Sequence, residues 1–439
     1  MTARYLVLAS LATGSSALRG ALRSRDTDLM VEALDALGCR VTGQGSDLVI
    51  TPAGMTRGLP GGSRSGLVVG PCDCAQGDAG LVAQGDARLV AQGDAATIDV
   101  GLAGTVMRFG PAVAALGAVP VRFDGDHQAS TRPIAPLLST LEQLGSKVTY
   151  HRQAGQLPFT IRGPLRGGRA TLDSQASSQF ASALLLVGPA LPRGLDLELE
   201  PPHLPSRPHV EMTLQALQRF GANYTAVSDT HWVIQPGGLT GQSLTIEPDL
   251  SNAAPFLAAA MVAGGQTTIQ DWPATTAQPG ALLIDYLTQM GASVTYHQPD
   301  QTLTLTGPSR HIKGVDLDLS PAGELTPTLA ALATLADEPS RLTGIAHLRG
   351  HETNRLAALT CEINRLGGQA SELPDGLVIT PGPLHGATLE TYHDHRMATF
   401  GAIVGLRVPG VYVNNVATTA KTMPNFPQLW ASMLEGGRG

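Results

Sequence analysis

The stretch LLSTLEQLGSKVTY (Leu137–Tyr150) sets leucines at helical spacing, closes them with Gly145 and passes at once into a strand-like run. Leucines at i, i+3, i+4 and i+7 paint one face of a helix, and a glycine just beyond them suits the left-handed residue that ends one. The pattern recurs as LMVEALDALGCRV (Leu29–Val41), MTLQALQRFGANYT (Met212–Thr225), LLIDYLTQMGASVTY (Leu282–Tyr296) and LAALTCEINRLGGQA (Leu356–Ala370), and more loosely as MATFGAIVGLRVPGVYV (Met397–Val413). Repeats of this kind define the architecture. Six copies divide into two sets of three, and the turn-rich Gln235-Pro236-Gly237-Gly238 predicts the break between them. The expectation is an α/β protein of two similar domains, 1–235 and 236–439, with a ligand cleft between them.

The chain has 439 residues, enough for two cores, and is 43% hydrophobic but only 4% aromatic, so Ala, Leu and Val must build the interior. A net charge of −7 argues against nucleic acid or anionic membrane as a partner. Lysine is confined to Lys147, Lys313 and Lys421, so the remaining cations are arginines, whose planar forks suit carboxylates and phosphates. Cys39, Cys72, Cys74 and Cys361 fit no zinc spacing and are too few for a disulfide scaffold; no metal site is expected, and a reducing cytoplasm is.

The apolar run Tyr5–Ala12 after Arg4 has the outline of a short signal peptide, but it leads on to Leu18, Leu22, Leu29, Met30 and Ala33 without a cleavage context, and a helix is expected instead. No uninterrupted apolar stretch approaches the ~18 residues of a membrane span. One segment lies outside the repeat: AQGDA occurs at 75–79, 83–87 and 91–95, and residues 75–95 read as a low-complexity loop insertion.

Several short motifs stand in order along the chain: GLAGTVMR (Gly101–Arg108), Asp124-Gly-Asp126 with TRPI (Thr131–Ile134), Ser177-Ser-Gln179, GELTP (Gly323–Pro327), HETNR (His351–Arg355), DHRM (Asp394–Met397) and TAKT (Thr419–Thr422). Together they resemble the EPSP synthase (3-phosphoshikimate 1-carboxyvinyltransferase) family, with wording similar to its actinobacterial branch. The resemblance implies a two-domain inverse α/β barrel, each domain of three repeated helix–strand units. It also implies transfer of the enolpyruvyl group of phosphoenolpyruvate to the 5-hydroxyl of shikimate 3-phosphate in aromatic amino acid biosynthesis. The enzyme would be a cytoplasmic monomer acting on small molecules, with no cofactor.

The roles follow residue by residue from the same resemblance. Gly104, Arg132, Gln179, Arg355, Arg396 and Lys421 would bind phosphoenolpyruvate, with Arg355 and Arg396 on its carboxylate through paired hydrogen bonds and Arg132 and Lys421 on its phosphate. Arg4, Ser177, Ser178, Gln179, Ser206, Glu324 and His351 would bind shikimate 3-phosphate. Glu324 would be the base for the hydroxyl, and Glu352 would move the proton to and from the methylene carbon, with Lys421 the third catalytic group. Read on their own, Ser177 and Ser178 are helix N-caps, Glu352 and Arg355 an i,i+3 pair, and each arginine a surface ion pair. His393-Asp394-His395 is expected to pack.

Two departures stand out. His351 occupies a place where the family usually has lysine, so its charge is expected to vary with pH. The family also begins with a strand and P-G-S-K-S-x-T-x-R, of which only Thr2 and Arg4 match here. Impaired activity is therefore expected of the chain as given, through a displaced start or, less favoured, a degenerate copy, and so is an unpaired strand edge in the second domain. Two alternatives are a non-catalytic binder of shikimate 3-phosphate and a UDP-N-acetylglucosamine enolpyruvyl transferase; the latter family uses a loop cysteine ahead of an arginine, and Asp126–Arg132 contains none.

Overall fold

The computed structural model describes residues 1–53, 96–201 and 204–436. The AQGDA segment, with Cys72 and Cys74, lies outside them. In each of the five clear repeats the glycine has positive φ: Gly38, Gly145, Gly221, Gly291 and Gly367, at +88°, +113°, +88°, +108° and +89°. Each ends an amphipathic helix (Arg25–Ala36, Ala135–Gln143, Arg207–Arg219, Leu283–Gln289 and Arg355–Arg365) and turns the chain into an antiparallel hairpin.

A second class of helix makes the interior. Gln179–Val187 (QFASALLLV) and Thr326–Thr334 (TPTLAALAT) are buried almost all round, as a helix without a polar face must be. Thr2–Leu11, Gly104–Ala114 and Gln179–Val187 pack together at the centre of the first half, and Leu250–Ala263, Thr326–Thr334 and His395–Gly405 at the centre of the second. The sheets and amphipathic helices surround these trios, which is the inverse of a barrel with strands inside. The loose sixth repeat is therefore of another kind: Met397–Val413 falls on an inner helix, His395–Gly405, and the short strand Tyr412–Val413. The N-terminal helix also differs from expectation. It stops at Leu11, and Leu18 lies in the strand Ser16–Arg19.

Four sheets share one order. In the sheet of Ala96–Asp99, Val121–Asp124, Phe159–Arg162 and Lys147–Tyr150, the first strand pairs parallel with the second and the other two follow antiparallel. In the sheet containing Ser16–Arg19, the parallel strand is Ser243–Thr245. This pairing keeps the chain with the first core through Ile246, and the second core begins at Leu250. The break thus lies beyond the turn at 235–238, because a strand still owed to the first sheet follows that turn. Among the described residues the chain passes between the cores once, at Glu247-Pro248-Asp249. Gln278 Nε2 steadies this passage by donating to Glu247 Oε2 and the Pro248 carbonyl, each at 2.9 Å. In the second half, the sheet of Gln266–Ile269, Thr302–Thr306 and Ser293–His297 has three strands, and no described strand pairs with the outer edge of Gln266–Ile269. No described helix is long and apolar enough to cross a membrane.

Candidate active site

Every residue singled out above for substrate or catalysis lines one cleft between the halves. From the first half come Arg4 on the opening helix, Gly104 at the start of Gly104–Ala114, Arg132 in the turn after His127–Ser130, and Ser177, Ser178 and Gln179 at the start of Gln179–Val187. Ser206 precedes Arg207–Arg219 in left-handed conformation, with φ +50°. From the second half come Glu324 in the turn Gly323–Leu325, His351 and Glu352 ahead of Arg355–Arg365, Arg396 in the first turn of His395–Gly405, and Lys421 at the end of the turn Val416–Lys421.

The corner of the cleft around Gly104 is built by crowding. Arg132 is 8% exposed and donates through Nη1 to the Leu102 carbonyl at 2.9 Å. A Cβ on residue 104 would stand 3.0 Å from Arg132 Nη2, 3.2 Å from Arg108 Nη1 and 3.3 Å from Gln179 Oε1. Glycine is what lets the backbone come this close. Arg108, part of the GLAGTVMR motif but given no role there, lies under this corner and donates through Nη2 to the Pro133 carbonyl at 2.9 Å. Burial, with Arg132 beside it, pushes its guanidinium well below the usual value.

A second cluster centres on Arg355, which is 2% exposed. Its Nε and Nη2 donate to Asp394 Oδ2 and Oδ1 at 2.7 and 3.1 Å, and Nη2 also to Glu352 Oε2 at 2.9 Å. The Nε–Nη2 edge of the guanidinium is thus committed to protein. Asp394 also accepts from the Arg396 backbone N–H at 2.8 Å, and His395 lines the cleft, so the Asp-His pair does more than pack. Arg355 Nη1 lies 3.2 Å from His351 Nδ1. A guanidinium only donates, so His351 is the neutral tautomer with its proton on Nε2. Burial first, then Arg355, holds its pKa well below the usual histidine value. Burial beside a permanent cation penalises a second charge on this imidazole.

The two carboxylates are driven apart. Burial raises Glu324 above the usual range against the pull of Arg396. Burial would raise Glu352 too, but Lys421, then Arg355 and Arg132, hold it well below. Lys421 Nζ lies 3.1 Å from Glu352 Oε1 and 2.7 Å from Asp26 Oδ2. Glu324 Oε1 accepts from Ser251 Oγ at 3.3 Å and stands 3.9 Å from His209 Nε2. Burial, then Arg4, pushes the His209 imidazole down to about 3.

On the first-half side of the cleft, Arg4 donates through Nε to Thr213 Oγ1 at 2.8 Å and through Nη2 to the His209 carbonyl at 2.9 Å. Ser178 makes no side-chain cap, whereas Ser177 Oγ accepts from the Gln179 backbone N–H at 3.2 Å. Ser206 Oγ lies 2.5 Å from His209 Nδ1 and donates to the Pro321 carbonyl of the other half at 2.9 Å. Asp26, His209 and Asp394 were not singled out as site residues, because each works through a partner remote in sequence.

The chain is also similar to known proteins. The family model for EPSP synthase (3-phosphoshikimate 1-carboxyvinyltransferase) matches residues 1–62 and 74–430. A protein of that name from Mycobacterium ulcerans is 47% identical over 446 aligned positions, covering 100% of this chain and 94% of that protein. Another, from Kocuria rhizophila, is 48% identical over 443 positions, covering 99% of this chain and 91% of that protein. Among solved structures, an EPSP synthase from Acinetobacter baumannii superposes with a TM-score of 0.74 at 23% identity, covering 98% of this chain and 93% of its own. The enolpyruvyl transferase NikO from Streptomyces tendae gives 0.68 at 16% identity, covering 98% and 92%. The structures speak to the fold, and the sequence matches to the family. The chain belongs to the EPSP synthase (3-phosphoshikimate 1-carboxyvinyltransferase) family.

Proposed function

We propose that the cleft joins phosphoenolpyruvate to the 5-hydroxyl of shikimate 3-phosphate and releases phosphate. The observation that carries this reading is the convergence of Arg132 from one half with Arg355, Arg396 and Lys421 from the other, around two carboxylates whose side chains are only 13% (Glu324) and 8% (Glu352) exposed. Two small polyanions need such a set of cations, and the reaction needs an acid and a base beside them.

In this reading Gly104, Arg132 and Lys421 hold the phosphate of phosphoenolpyruvate. Arg396 and Nη1 of Arg355, which also donates to His351, hold its carboxylate. Ser177, Ser178 and Ser206 take the phosphate of the acceptor, Arg4 its carboxylate, and Gln179 lies where the two ligands meet. His351 offers Nε2–H to an acceptor hydroxyl. Glu324, with its raised pKa, takes the proton of the 5-hydroxyl as oxygen bonds to C2 of the enol, while C3 gains a proton from Glu352. The bond from C2 to the phosphate oxygen then breaks, the departing phosphate takes up the proton that came from the 5-hydroxyl, and C3 returns a proton to Glu352. Glu352 can carry that proton because bound anions draw Lys421 and Arg355 to themselves and weaken the field that keeps it ionised. A cytoplasmic monomer acting on two small acids fits the cysteine usage and the negative net charge.

Mixing the protein with both compounds tests the reading. Phosphate release with a vinyl-ether product seen by NMR is expected, at the reduced rate expected above of the chain as given. Tight calorimetric binding of shikimate 3-phosphate without release would favour a binder, and release only with UDP-N-acetylglucosamine as acceptor would reassign the substrate.

A further inference from the structure

Lys421 and Asp26 are 395 residues apart and meet across the cleft at 2.7 Å. The lysine is 11% and the aspartate 19% exposed, so this is not a solvated surface pair. Asp26 stands in the first turn of Arg25–Ala36, a helix whose start is fixed by Ser24 Oγ accepting from the Thr27 backbone N–H at 3.3 Å. An anion in a first helical turn is favoured by the free backbone N–H groups there. Its second oxygen, Oδ1, is buried and has no hydrogen-bond partner among the described residues. A buried carboxylate oxygen left unsatisfied is costly, and a mere tie between the halves would not require that arrangement.

We propose that Asp26 is a positioning residue for the transfer reaction, through which the first half fixes the ammonium of Lys421 between Glu352 and the phosphate corner. The inference rests on the enolpyruvyl-transfer reading above. The groups facing Lys421 are Asp26 from Arg25–Ala36, Glu352 from the turn before Arg355–Arg365, Arg132 beside Gly104, and His395 at the start of His395–Gly405. Burial would lower the Lys421 pKa, but Asp26, followed by Glu352, raises it overall. Asp26 therefore does two things: it aims the ammonium, and it keeps that group charged at alkaline pH.

The test compares wild type, Asp26→Asn and Asp26→Glu in steady-state turnover against pH, with thermal melting of each. Asp26→Asn is expected to lower kcat at least tenfold, to leave KM for shikimate 3-phosphate within about twofold, and to bring the alkaline fall of kcat down by about one pH unit, since removing a facing anion favours loss of the ammonium proton. Asp26→Glu is expected to restore the alkaline limb. A limb that does not move in Asp26→Asn, with kcat unchanged or falling only in step with the melting temperature, overturns the role of Asp26 while leaving the transfer reading intact. A wild-type protein that binds both compounds but releases no phosphate overturns the transfer reading, and this inference with it.

Discussion

Asp394 holds Arg355 by two hydrogen bonds, 2.7 Å from Nε and 3.1 Å from Nη2, and both side chains are withdrawn from water. Removing one partner of such a pair strands a buried charge, which costs about 3–5 kcal/mol. Asp394→Ala is therefore expected to lower the unfolding free energy by that order in urea titration. Asp394→Asn keeps the shape and should lose less stability, yet still raise KM for phosphoenolpyruvate, because Arg355 would swing.

Gly104→Ala tests the phosphate corner. The added methyl meets Arg132 Nη2 at 3.0 Å, so the guanidinium must give way by a few tenths of an ångström. KM for phosphoenolpyruvate is expected to rise about tenfold, roughly 1.4 kcal/mol, with KM for shikimate 3-phosphate nearly unchanged. Equal rises in both would place the phosphate of phosphoenolpyruvate elsewhere.

Glu324→Gln removes the proposed base without changing its size. A loss of about 10²–10⁴ in kcat is expected. A base works only when ionised, and burial raises Glu324, so wild-type kcat should climb with pH through a value above the ordinary glutamate range. The variant should lack that climb. If its residual activity keeps the same acid limb, another group is the base.

Three depressed imidazoles bear on the acid stability. His209, His351 and His395 are all depressed, chiefly by burial. Below an unfolded histidine value of about 6.5 the unfolded chain takes up protons that the folded chain does not, so stability is present at neutral pH and is lost as pH falls. Each such proton is worth about 1.4 kcal/mol per pH unit. Urea titrations from pH 7.5 to 5.0 should show the decline, and His395→Gln should flatten it. The partly exposed His209 and His351 should contribute less.

The outer layer of this fold was legible because its helices are half exposed: the alternation of Leu137, Leu141 and Leu144 with polar neighbours is a period the eye can find. Members of the inner trios were read as helices, from Ser177 and Ser178 or the apolar run Tyr5–Ala12, but not as a separate inner layer, since a helix such as Gln179–Val187, apolar nearly all round, has no period to show which face packs. The strand Ser243–Thr245 was missed because its partner, Ser16–Arg19, lies more than two hundred residues away and nothing local announces the pairing. The cationic and acidic site residues were legible through motif resemblance. Asp394 and Asp26 were not, as an aspartate at a helix start reads as a cap or a dipole complement until its distant partner is known.

Among the described residues the chain passes between the halves at Glu247-Pro248-Asp249, so the proposed centre behaves like that of a heterodimer held on one string. Noncovalent contacts between the halves include Ser206 to the Pro321 carbonyl and Asp26 to Lys421. Neither half owns a complete centre, and their meeting rests on the high effective concentration that a three-residue linker imposes. Lengthening that linker with glycines should dilute the partners without touching any residue of the centre, and a clean cut there should turn a unimolecular enzyme into one whose rate depends on protein concentration.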